Sequence, residues 1–264
     1  MSKMKKTTVK TALNYAIILR VRLVSTTKEE VLRKISGFLH IGHKFSLFTP
    51  NPEILVEASR DKNYLNILNS SDLNVPDGIG LNFASKFLYG KSLNITPGRK
   101  LFWDLIKLSC QNKWKVFLVG GLGNEVTLTK EKLENSFKGL TIKCLKGPKL
   151  DSFGKPLNIT EEKVEKEVVE NINKFNPDIL FVGFGAPKQE KWIHNWLPKL
   201  NIGGAMAVGG TFSYISGKSS LPPSWMEVTH FEWLWRLLHE PRRVSRILNA
   251  VVIFPLKVIV SKFA

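Results

Sequence analysis

The feature that most constrains this chain is an alternation. Short apolar, β-rich runs are each followed by a loop bearing glycine or proline and then by a stretch with helical period. FSLFT (45–49) leads to a helix from Pro52, KVFLV (115–119) to one from Asn124, and DILFVGF (178–184) to one from about Pro187. Between the last two, LTIKCL (140–145) reads as a strand. Residues 161–175 read as an amphipathic helix with Val164, Val168, Val169 and Ile172 on one side. Strands separated by helices are expected to lie parallel, because each helix carries the chain back across the sheet before the next strand begins. The expected fold is therefore α/β, a Rossmann-like, mainly parallel sheet flanked by helices, over residues 1–220.

The texture changes at Leu221. Pro222 and Pro223 are followed by a segment dense in Trp, Phe and Arg, so residues 221–264 are expected to form a basic, aromatic helical appendage. Residues 229–240 have a helical pattern, and Pro241 is expected to break it before a second helix or turn. The last stretch, ILNAVVIFPLKVIVSKFA (247–264), carries only Lys257 and Lys262 as charges. It reads as too short and too interrupted to span a bilayer and as suited to lying in the interface. At the other end, MSKMKKTTVK reads as a short flexible lead into a first strand within NYAIILRVRLV.

With 264 residues, 43% of them hydrophobic, the chain has enough apolar material for a sizeable core, which excludes a disordered or peptide-like protein. Lys and Arg total 39 against 22 Asp and Glu, a net charge of +17 that favours anionic partners: nucleic acid, acidic lipid or phosphorylated substrates. Cys110 and Cys144 are far apart and are expected to be reduced, buried thiols. His40 and His43 have ligand-like spacing but no carboxylate or thiol beside them in the sequence, so no metal site is expected there. The aspartates include no Asp-x-Asp pair, so a pyrophosphate is expected to meet arginine and not a bound cation.

In open parallel sheets ligands collect at the carboxyl ends of the strands, and four loops there stand out. Thr49-Pro50-Asn51-Pro52-Glu53 fits either a plain helix start or a binding loop, with Asn51 as cap. Val75-Pro76-Asp77-Gly78 places a carboxylate in a glycine turn, which reads as a turn residue or a functional acid. Gly120-Gly121-Leu122-Gly123 fits a phosphate-receiving turn or a tight packing turn. It departs from the dinucleotide fingerprint, with Val126 where a third glycine would stand. Gly185-Ala186-Pro187-Lys188-Gln189-Glu190 opens a helix with polar groups at the rim. In the appendage, Arg236, Arg243 and Arg246 fall near one face of a continuous helix and suit either lipid phosphates or a substrate diphosphate.

Taken in order, TPNPE, PDGIG, VFLVGG, GFGAPKQEKWI, AVGGTFSYISGK and EWLWRLLHEPRRVSRI resemble the WecG/TagA/CpsF family of bacterial glycosyltransferases, from about Ala16 to the C-terminus. The resemblance implies an inverting enzyme that uses neither metal nor other cofactor. It would move N-acetylmannosamine, its uronic acid or a related sugar from a UDP-sugar to undecaprenyl-diphosphate-linked N-acetylglucosamine, in teichoic acid or surface-polysaccharide synthesis. By the same resemblance Asp77 is the catalytic base, Thr49 and Asn51 line the acceptor pocket, and Gln189 is the pocket glutamine. Arg236, Arg243 and Arg246 belong to an appendage that closes over the site at the membrane. Where many members carry an arginine and an acid, this chain reads Ile95-Thr96-Pro97-Gly98-Arg99-Lys100, and Arg99 is the candidate replacement cation. The implied setting is cytoplasmic, attached to the inner face of the bacterial plasma membrane, with no nucleic-acid partner and with a homo-oligomer left open. Two other classes fit parts of the sequence: a non-enzymatic basic module for lipid or nucleic acid, and a nicotinamide oxidoreductase.

Overall fold

The structure is a computed structural model that describes residues 14–223, 225–226, 234–235 and 244–263. The expected lead at 1–10 and most of the helical pattern at 229–240 lie outside those residues.

Six strands, β3 (Phe45–Phe48), β4 (Leu73–Asn74), β5 (Val116–Gly120), β6 (Ile142–Leu145), β7 (Ile179–Gly183) and β8 (Gly204–Ala207), form one sheet. Their order is β4-β3-β8-β7-β5-β6 and every pairing is parallel. β5 and β7 are buried along their whole length, as a sheet covered on both faces requires. Successive side chains point to opposite faces, so the sheet divides the interior in two. Phe117, Val119, Leu180 and Val182 join one core cluster, while Val116, Leu118, Ile179 and Phe181 join the other.

Helices α1 (Lys28–His40), α5 (Gly98–Asn112), α6 (Glu125–Ser136) and α9 (Thr211–Ser216) cover the second cluster. Helices α2 (Pro52–Ala58), α3 (Lys62–Ser70), α4 (Ile79–Tyr89), α7 (Ile159–Phe175) and α8 (Lys188–Trp196) cover the first. Local sequence sets several of their starts. Thr27 and Glu30 form a reciprocal capping box on α1, and Asn51, Asp61 and Asn158 cap α2, α3 and α7 with their side chains. On α7, Val168 and Ile172 are buried, with Val164 and Val169 packed beside them.

The N-terminal apolar run differs from expectation. It forms an antiparallel hairpin, β1 (Tyr15–Ile18) and β2 (Val21–Val24), separate from the main sheet. Leu19 and Arg20 both take positive φ, the backbone that a two-residue hairpin turn demands. No glycine announces that turn. It is held from outside, by Asn69 Nδ2 donating to the Arg20 carbonyl at 2.9 Å and the Arg22 N–H donating to Asn69 Oδ1 at 2.9 Å.

The C-terminal end also departs from expectation. α10 (Val244–Leu248), a π-helical turn (Asn249–Ile253) and α11 (Phe254–Phe263) form one helical run of 20 residues, long and apolar enough to cross a membrane by length and composition. Lys257 and Lys262 do not interrupt it. The wider turn precedes Pro255, which has no N–H to donate and whose ring crowds the previous turn. The run packs on α2 and α4 and buries Phe254 and Val258 in the first core cluster. Both cysteines are free, as expected, but each is partly exposed and not buried.

Close packing fixes β8 beside its neighbours. A methyl group at Gly203, just before that strand, would lie 2.5 Å from the Asp178 carbonyl oxygen and 2.3 Å from Leu39 Cδ2. Backbone cannot yield as a side chain does. Gly203→Ala is expected to cost about 2 kcal/mol or more of unfolding free energy, read as a lower urea midpoint at unchanged slope.

Candidate active site

The loops after β3, β4, β5, β7 and β8 all emerge at the carboxyl edge of the sheet. The first two are stitched together. The Val75 N–H donates to the Phe48 carbonyl at 2.9 Å, and the Asp77 N–H to the Pro50 carbonyl at 3.0 Å. The segment ahead of α5 closes on them, with the Thr96 N–H donating to the Pro76 carbonyl at 2.9 Å and the Gly98 N–H to Asp77 Oδ2 at 3.0 Å. Asp77 thus sits at the positive end of the α5 dipole, in a charge-assisted hydrogen bond. Gly98 has no room for a side chain, since a Cβ there would lie 2.7 Å from Thr49 Oγ1 and 3.4 Å from Asp77 Oδ2. Thr49 and Asp77 are therefore brought together around Gly98. Sequence reading placed Gly98 in a motif but gave it no role.

Asn51 is adjacent, and its Oδ1 accepts the Ile54 N–H at 2.9 Å as the α2 cap. Its cap role and its place beside Thr49 coexist. Arg99, the next residue after Gly98, stacks its guanidinium over the Tyr214 ring with a centroid distance of 5.9 Å. With Trp103, Lys132 and Tyr214 it lines an open groove of about 380 Å³ between α5, α6 and α9.

The glycine turn after β5 is committed inside the protein. Gly120 and Gly121 have positive φ, and a Cβ on Gly120 would lie 2.8 Å from the Gly183 carbonyl, so close approach of two backbones requires glycine there. The Gly121 N–H donates to the Gly183 carbonyl at 3.0 Å, and the Leu122 N–H to Glu125 Oε2 at 2.9 Å. Glu125 is buried and also accepts the Ser213 hydroxyl at 2.8 Å. These two amides are engaged by the protein's own acceptors, and a carboxylate already occupies the start of α6. Lys218 covers the loop, donating to the Leu122 carbonyl at 3.3 Å.

Gln189 is buried and spans two elements. Its Oε1 accepts the Gly209 N–H at 2.9 Å, and its Nε2 donates to Glu190 Oε1 at 2.8 Å. It ties the loop after β8 to the start of α8. Glu190, which the sequence marked only as a polar group at the rim, is 1% exposed and also accepts the Tyr64 hydroxyl at 3.2 Å. Burial pushes its carboxyl up to about 7, against the hydrogen bonds from Gln189 and Tyr64, which pull the other way. Burial likewise raises the carboxyl of neighbouring Glu57, with the charge of Glu53 adding to it.

Of the three appendage arginines, Arg236 and Arg243 lie outside the described residues. Arg246 is half exposed and pairs with Glu53 Oε1 at 3.4 Å, in the first turn of α2. Phe254 reaches the same place, its Cε1 3.9 Å from where a Cβ on Gly80 would stand. The C-terminal run is thus anchored on the first turns of α2 and α4, the helices that follow the loops carrying Asn51 and Asp77.

His43 differs from expectation, because the fold brings Asp72 to it, with Nε2 2.8 Å from Oδ1. Among the described residues, no group of three His, Cys, Asp or Glu side chains converges as a metal site.

A parallel α/β sheet with acid-bearing loops at its carboxyl edge, read together with the relatives, defines a glycosyltransferase. The chain belongs to the glycosyl transferase WecG/TagA/CpsF family, which matches residues 16–264. It is 34% identical over 204 residues to an N-acetylglucosaminyldiphosphoundecaprenol N-acetyl-beta-D-mannosaminyltransferase of Bacillus spizizenii, covering 77% of this chain and 74% of that one. A protein of the same name from Staphylococcus aureus is 29% identical over 247 residues, covering 93% and 92%. Family membership removes both the non-enzymatic module and the nicotinamide oxidoreductase.

Because Glu190 holds its proton in the folded protein at a pH where the unfolded chain has released it, stability is fully present below about pH 4.5 and declines until about pH 7. Glu190→Gln keeps the shape and cannot ionise. Its melting temperature at pH 8, relative to pH 5, is expected to fall less than that of the parent, by a difference on the order of a few degrees in calorimetry.

Proposed function

We propose that the enzyme transfers N-acetylmannosamine, its uronic acid or a related sugar from a UDP-sugar to N-acetylglucosamine carried on undecaprenyl diphosphate. Support comes from the activity for which the Bacillus and Staphylococcus relatives are named. In this chain the observation that carries the reading is the Asp77 carboxylate, fixed where the β3 and β4 loops meet the start of α5.

In this reading Asp77 takes the proton of the acceptor hydroxyl while that oxygen bonds to the anomeric carbon of the donor. On the opposite face the bond from that carbon to the diphosphate oxygen breaks, and UDP leaves with the electron pair. A single displacement inverts the centre. Thr49 and Asn51 hold the acceptor beside Asp77. The turn at Gly120 and Gly121 contributes its close backbone and open shape, since the Gly121 amide is already engaged. Gln189 acts by fixing the Gly209 turn.

The departing diphosphate gains charge. Guanidinium groups placed in advance, Arg99 from the core and Arg236, Arg243 and Arg246 from the appendage, stabilise that charge without a metal ion. Residues 221–264 act as one appendage on the cytoplasmic face of the plasma membrane, where a polyprenyl acceptor resides. The Arg246–Glu53 pair and the approach of Phe254 to Gly80, at the helix starts that follow the site loops, are what support a link between lipid docking and chemistry.

Asp77→Asn is expected to retain UDP binding by calorimetry and to lose turnover by about 10²-fold or more. A near-normal kcat would remove Asp77 from the role. Transfer is expected to persist in excess EDTA, and a strict requirement for added Mn²⁺ or Mg²⁺ would overturn the metal-free reading.

A further inference from the structure

Three segments distant in sequence are joined on one outer face of the protein. The C-terminal end of α11 meets α4, where Lys262 Nζ donates to the Phe87 carbonyl at 2.8 Å and lies 4.2 Å from the Phe87 ring centroid. α4 in turn meets the hairpin, where the Tyr89 hydroxyl donates to the Ile17 carbonyl. Each segment turns large apolar side chains outward. Phe83 is 62% exposed and shares a stripe of α4 with Phe87, while Ile17 is 54% and Phe263 81% exposed.

The charge on this face has one sign. Residues 14–24, 78–103 and 244–263 contain no aspartate or glutamate, while they carry Arg20, Arg22, Lys86, Lys91, Lys257 and Lys262 among their cations. Exposed aromatic and aliphatic groups rimmed by lysine and arginine, with no acid among them, match the headgroup layer of an anionic bilayer. A second copy of the chain would bring the same cations to the same face, and like charges would oppose the contact.

We propose that the membrane-docking surface is a platform of three parts, in which α4 and the β1–β2 hairpin of the core lie on anionic lipid beside the C-terminal helix. It rests on the membrane reading given above and extends it from the appendage to the core. Phe83 and Ile17 enter the headgroup layer, and the lysines pair with lipid phosphates. The platform sets the orientation of the core as well as its tether, because a face held at three places cannot swivel about a single helix.

The test uses the full chain and flotation with vesicles of phosphatidylglycerol and phosphatidylcholine, against vesicles of phosphatidylcholine alone. Phe83→Ser combined with Ile17→Ser is expected to weaken binding to the anionic vesicles roughly tenfold or more. Turnover of a water-soluble, short-chain acceptor should stay within about twofold of the parent, since neither side chain belongs to the site. Ile159→Ser, an exposed residue at the start of α7, is expected to change nothing. Phe83→Trp, which keeps an interfacial aromatic, is expected to bind as the parent does and guards against a folding defect in the serine variant. Anionic-vesicle binding unchanged in the double variant would overturn the platform. So would a shift from dimer to monomer in sedimentation with vesicle binding intact, which would make the face a contact between copies. If no UDP-sugar supports transfer and yet the double variant loses vesicle binding, the proposed reaction fails while the platform stands.

Discussion

The arrangement of the candidate site depends on one hydrogen bond and the absence of one side chain. The Gly98 amide reaches Asp77 because Gly98 has no Cβ to collide with Thr49. That contact closes three loops into one unit: the turn after β3, the turn after β4, and the entry to α5. A parallel sheet supplies the geometry, since it delivers every strand end to the same edge. The glycine allows the neighbouring ends to approach within hydrogen-bond reach. A larger residue there would collide first with Thr49 and separate it from the carboxylate.

The same edge carries the mechanical link to the C-terminal run. α2 starts at the edge, and its first turn offers Glu53 to Arg246, while Pro52 and Gly80 form the seat near Phe254. The helical run at the C-terminus, with its exposed apolar side chains, is therefore fixed to the helix starts that follow the loops holding the acid. Under the proposed function this gives a physical route by which contact with lipid bears on substrate. The charge rule is consistent along that route. Glu53, Glu57 and Glu190 lie on the inner side of that route, while the segments that form the outer face carry cations and no acid.

Glu190 shows how a polar residue can serve a site without standing in it. Its carboxyl lies beneath α8, where water cannot reach it, and there it organises Gln189 and Tyr64. Gln189 then holds the Gly209 turn. Satisfied polar contacts of this kind fix loops in a dense interior, where an unpaired group would cost more than the bond returns.

Sequence alone determined the class of fold, the parallel strands and their following helices, the cap at Asn51, and the order of motifs that marks the family. Those properties are local, because periodicity and capping act within a few residues. It did not disclose the hairpin turn at Leu19 and Arg20, which Asn69 enforces from 49 residues away. Nor did it disclose the short strand β4, the commitment of the Gly121 amide, the meeting of His43 with Asp72, or the burial of Glu190. Each of these depends on a partner brought near by tertiary packing, and burial, hydrogen bonding and charge pairing are properties of neighbours in space. Only the folded chain decides which groups become neighbours.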